Sequence, residues 1–159
     1  MKQILPIMLG SDINAYSMAR LFYEEYNVKS LVLATELFNA TRYTDILDVK
    51  IVKNLHNKDV FLKNLNKIYK KNKNKSIILI SCAETYSNLL CDNKKKLSNF
   101  IIPYFTNKEM MSRLINKEEF YKICEEYGLD YPKTYIYTKD SKLKVPFEYP
   151  IVLKPDSSV

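Results

Sequence analysis

Residues 5–20, LPIMLGSDINAYSMAR, decide the fold. An apolar run stops at Gly10, two small polar residues follow, and a helical pattern begins. Ala15, Met18, Ala19, Phe22 and Tyr26 keep the i, i+3, i+4, i+7 spacing of one helix face. A strand that turns directly into a helix is half of a strand–helix–strand unit. In an open α/β sheet, ligands lie beyond the carboxyl ends of the strands, near helix N-termini, where N–H groups and the helix dipole attract anions. Gly10 lets the backbone take a positive φ or approach a ligand closely, and Ser11 or Asp12 can cap the helix. One glycine is not the dinucleotide fingerprint, and a plain turn would look the same. On this segment alone the plain turn is the favoured reading.

Outward from the turn, apolar runs and helical patterns alternate. Residues 3–9 read as a first strand, although Pro6 would lose a ladder hydrogen bond if that strand is central. SLVLA (30–34) is a strand buried on both faces, and VKIVK (49–53) a shorter one. Residues 59–70 form a helix with Phe61, Leu65 and Ile68 inward, and SIILI (76–80) is the strongest strand. Ser81 and Glu84 have capping-box spacing, which predicts a helix starting at Ser81. FIIPYF (100–105) reads as a strand. Thr106 with Glu109 repeats the capping-box spacing before a short helix carrying Met110, Met111 and Leu114. Asn116 caps a further helix with Phe120, Ile123, Cys124 and Tyr127 inward, stopped by Gly128. KTYIY (133–137) and PIVLK (150–154) read as two last strands. The sequence predicts an α/β fold, a Rossmann-like parallel sheet with helices on both faces, over residues 1–105. Residues 106–159 are a connector and the start of a second module. The sequence stops straight after a strand, as if its remainder were not included.

The chain has 159 residues, 47% of them hydrophobic, enough for an ordinary domain with a core. No apolar run approaches the ~20 residues of a membrane span, and the first residues lack a signal-peptide cleavage site. Cys82, Cys91 and Cys124 have neither zinc nor disulfide-framework spacing, so reduced thiols in a cytoplasmic protein are expected. Net charge is +7, but the lysines concentrate in KKNKNK (70–75) and KKK (94–96), as on solvated loops and helix ends. Only Arg20, Arg42 and Arg113 supply guanidinium groups, and no nucleic-acid motif appears. His56 lies in a polar loop without a catalytic arrangement and receives no role.

NKEEFYKICEEYGLDYPKTYIY (116–137), followed by YPIVLKP (149–155), resembles the ATP-grasp ligases. In that family a lysine opens a helix, a glycine ends it, P-K-T or P-x-T leads into a strand, and a later apolar strand ends in a second lysine. Lys117, Gly128, Pro132-Lys133-Thr134 and Lys154 stand here in that order. The segment GSDINAYSMARLFYEEY also resembles the N-terminal domain of the carboxylate–amine ligase branch. The resemblance implies a Rossmann-like substrate-side domain, 1–105, followed by connector helices and the beginning of the small nucleotide-binding lobe, 106–159. It implies ATP as cosubstrate, contacted by Lys117 and Lys154, and Mg2+ held by ligands beyond residue 159. Gly10, Ser11, Asp12, Asn14, Ser81 and Glu84 are the candidate substrate-side residues, with Glu84 read as a capping-box member ahead of a substrate ligand. No catalytic residue is assigned.

The implied chemistry is phosphorylation of a substrate carboxylate by ATP, then attack of an amine on the acyl phosphate to form an amide. Small-molecule carboxylate and amine substrates are the expected partners, with neither nucleic acid nor membrane. A homodimer is an allowed assembly. By itself the chain is expected to be inactive. The competing reading is a non-catalytic Rossmann-like module that binds a nucleotide or metabolite.

Overall fold

A computed structural model describes residues 3–103, 107–138 and 145–155. The chain divides into two compact units, Met1–Lys108 and Glu109–Val159.

The first unit runs β1 (Ile4–Leu9), α1 (Ile13–Tyr26), β2 (Ser30–Ala34), α2 (Asn39–Arg42), β3 (Leu47–Ile51), α3 (Lys58–Lys71), β4 (Ser76–Ser81) and α4 (Glu84–Asn93), closing with a 3-10 turn at Lys94–Leu97. The four strands form one parallel sheet in the order β3-β2-β1-β4. Side-chain alternation splits the core into two layers. Met8, Val32 and Ala34 pack with Ala15 and Ala19 of α1, while Ile7, Leu9, Leu33 and Leu79 pack with Phe61 and Leu65 of α3 and Leu90 of α4. Helices therefore cover both faces, as the doubly wound reading requires.

Pro6 sits in a central strand and still costs little. Gln3 and Leu9 direct their carbonyls to β4, accepting from Ser76 and Cys82 N–H, whereas Gly10 N–H donates to Leu33 O of β2. Even-numbered positions of β1 thus face β2, and pairing with β2 begins only at Ile7. The N–H that proline lacks falls just before that ladder starts.

Three expectations for the first unit need correction, and one element was not foreseen. The third strand is Leu47–Ile51, two residues earlier than read, because its register is set by pairing Ser30 with Leu47 and Ala34 with Ile51. The run 100–105 provides only a bridge, Ile101 beside Ile78, with Ile101 N–H donating to Ile77 O and Leu79 N–H to Ile101 O; residues 104–106 lie outside the described residues, Thr106 with its cap among them. The helix expected to start at Ser81 starts at Glu84 after Ala83, and Ser81 ends β4 instead. A four-residue helix, α2, was not anticipated, since so short an element shows no periodicity.

The second unit contains α5 (Lys108–Ile115), apart from its first residue, and α6 (Lys117–Glu126). Asn116 caps α6 as read, accepting from Glu119 N–H at 2.8 Å, and Gly128 follows with φ +63°. Ile123 and Cys124 are buried, but Phe120 and Tyr127, expected inward, are exposed. Residues 133–137 and 150–154 are not strands. Among the described residues they have no ladder partner, and a strand exists only through its ladder.

Candidate functional site

The site follows from where the sheet reverses its winding. From β1 the chain crosses to β2 on one side, and from β4 it continues to the Ile101 bridge on the other. The switch point therefore lies between β1 and β4, where open α/β sheets form their binding crevice. A cleft of about 470 Å³ opens there, lined by Gly10, Ser11 and Asp12 after β1, Ala34 to Glu36 and Phe38 around the end of β2, His56 before α3, and Ala83, Thr85 and Tyr86 at the start of α4.

Gly10 makes this floor. Its φ is +114°, which side chains rarely adopt, and a Cβ there would stand 3.5 Å from Cys82 Cβ and 3.7 Å from Ala83 Cβ. The ends of β1 and β4 lie in ordinary contact under the cleft. Asp12 caps α1, with Oδ1 accepting from Asn14 N–H at 3.0 Å and Ala15 N–H at 3.2 Å, and Oδ2 from Asn14 Nδ2 at 3.0 Å. The N-terminus of α1 is already occupied by its own carboxylate. Ser11 is buried and donates to Glu36 O at 2.6 Å, while buried Thr41 donates from Oγ1 to Ser11 O at 2.8 Å. Ser11 therefore ties two loops together.

Across the cleft, α4 begins with no side-chain cap at Ala83, so its amino end opens onto the cavity. Burial raises the Tyr86 phenol above its ordinary pKa and the nearby Glu36 carboxylate adds to this, against the Thr35 hydroxyl and backbone N–H that face the phenol oxygen. Burial first, and the Asp12 charge second, push the Cys82 thiol up to about 12. A thiol so poorly ionised is not a nucleophile. His56 reaches the cleft because buried Leu55 anchors its loop in the core.

Of the sequence-derived candidates, Gly10, Ser11 and Asp12 meet in this cleft. Asn14 is exposed on the α1 side as the partner of Asp12. Ser81 donates to Ala83 O at 2.8 Å and accepts from Ser87 Oγ at 2.8 Å, outside the lining, as does Glu84 lie outside it. Lys117 opens α6, half-buried, and Lys154 is exposed without strand support. Thr35, Glu36, Phe38, His56, Thr85 and Tyr86 were missed. Thr35 and Glu36 had a readable signal: they follow the second strand directly, as Gly10 and Ser11 follow the first. Among the described residues no group of three or more His, Cys, Asp or Glu side chains could hold a metal ion, so Mg2+ is given no site and no step on them. No described helix is long and apolar enough to cross a membrane.

Fold and site together define a doubly wound α/β domain with an open cleft at its switch point. Two solved structures share the fold: the ADP complex of N5-carboxyaminoimidazole ribonucleotide synthetase (TM-score 0.52, 18% identity, covering 80% of this chain and 30% of that one) and L-amino acid ligase from Bacillus licheniformis (TM-score 0.58, 12% identity, 92% and 36%). No protein-family model matches the chain. In sequence, it is 36% identical over 167 aligned positions to D-aspartate ligase of Enterococcus faecium (strain Aus0004). The match takes in 99% of this chain and 40% of the enzyme's length. The chain is a homologue of D-aspartate ligase along almost its whole length, in keeping with the ATP-grasp resemblance read from its sequence.

Proposed function

We propose that this chain carries the substrate-side domain of an ATP-dependent carboxylate–amine ligase, with the switch-point cleft as its small-molecule site. The observation that carries this reading is the 36% identity to D-aspartate ligase along 99% of the chain. In the proposed reaction ATP phosphorylates a carboxylate, and an amine displaces phosphate from the acyl phosphate. Oxide is not a viable leaving group; phosphate is. Gly10, Ser11 and Asp12 form one wall of the substrate cleft, and Lys117 and Lys154 serve the nucleotide by their ammonium groups. The chain spans 40% of the relative's length, and taken alone it is proposed not to turn over ATP.

A chimera tests the reading. This chain replaces the matching segment of the Enterococcus faecium enzyme, and ADP release is followed with and without D-aspartate. Acid-dependent ADP release is the expected result. A folded chimera whose ATP turnover ignores the acid would overturn it.

A further inference from the structure

The cleft has a charge pattern that its strand-end geometry alone does not explain. Among the described residues, its lining holds two carboxylates, Asp12 and Glu36, one imidazole, His56, and neither lysine nor arginine. Both Asp12 oxygens are engaged in capping α1. Glu36 is different. It forms no ion pair among the described residues, and its carboxylate lies close enough to the Tyr86 phenol to shift it. Its backbone is also tied down. Ser11, 2% exposed, donates to the Glu36 carbonyl, and Thr41, 1% exposed, donates to the Ser11 carbonyl. Two buried hydroxyls thus join residues 25 and 30 positions apart to hold one exposed glutamate at the cavity.

We propose that Glu36 is the specificity residue of the cleft, receiving an ammonium group of the substrate, and that the Ser11–Thr41 clamp is the positioning device that holds it there. The inference rests on reading the cleft as a substrate site. A carboxylate contact favours the charged form of an amine. A charged amine has no lone pair with which to attack an acyl phosphate. The ammonium at Glu36 is therefore a recognition group, carried by a substrate that reacts elsewhere in its structure.

The test is amide-shift mapping of the labelled chain with three small probes near neutral pH, where an α-amino group is mostly protonated. Glycinamide is the cation, propionamide its neutral isostere, and N-acetylglycine the anion. Glycinamide should shift the Gly10, Thr35 and Glu36 amides at lower concentration than propionamide does. Glu36→Gln should cut its affinity about tenfold, the worth of one charge-assisted hydrogen bond, and leave propionamide unchanged. Thr41→Val should lower the cation-to-neutral preference, and Thr41→Ser should restore it; a merely structural role would weaken both probes alike. Equal binding of propionamide, stronger binding of N-acetylglycine, or an unchanged preference in Glu36→Gln would overturn the proposal while leaving the cleft a ligand site. Silence of the cleft to all three probes would overturn the cleft as substrate site, and this inference with it.

Discussion

Gly10 holds a backbone angle of +114° where β1 leaves the sheet, and the space beside it would accept a methyl group at ordinary contact distance. The glycine is therefore required by its torsion more than by crowding. Gly128, at φ +63° with nothing within 4 Å, lies in the milder left-handed region. Gly10→Ala should cost about 1–3 kcal/mol, and Gly128→Ala about 1 kcal/mol. Urea unfolding of both variants checks the order; an equal or smaller loss at Gly10 would mean that the turn is not strained for a side chain. Gly10 was visible in the sequence as the glycine at a strand end. The sequence could not settle Ser11. A serine beside such a glycine looks like a ligand contact, but its hydroxyl proton goes to the carbonyl of Glu36. That partner is 25 residues away, and no local pattern announces it.

Among elements, the α1 start shows how a cap and an anion site compete. The helix has no acidic residue in its first turn, so Asp12 is the group that meets its free N–H donors and its dipole. Asp12→Ala should cost about 1 kcal/mol, while Asp12→Asn, which still accepts hydrogen bonds, should stay within a few tenths of a kcal/mol of the parent. Chemical denaturation checks this, and an equal loss in both variants would assign the stabilisation to charge instead of capping. The elements that were legible had a strong local signature: β2 is apolar from Leu31 to Ala34, and α3 places Phe61, Leu65 and Ile68 on one face. Failures came where the deciding interaction was distant. KTYIY and PIVLK are apolar enough for strands, but no ladder forms among the described residues. Ser81 and Glu84 have the spacing of a capping box, yet pairing of β4 with β1 extends through Ser81 opposite Leu9, and the helix must wait.

For the whole molecule, the parallel order of the sheet brings four separate chain segments to one cleft. The strand–helix alternation and the ATP-grasp pattern were readable, and they led to the fold and the family. The cleft's full lining was not readable, because Thr35, His56 and Tyr86 become neighbours only once β1 stands between β2 and β4. We propose that this cleft, formed at the switch point, takes the small-molecule substrate. Titrating the labelled chain with D-aspartate, while following its backbone amides, tests that claim most directly. Saturable shifts are expected at Gly10, Thr35, Glu36, Ala83 and Tyr86, undiminished by ATP. Shifts confined to residues outside the cleft, or loss of the cleft shifts when ATP is added, would contradict it.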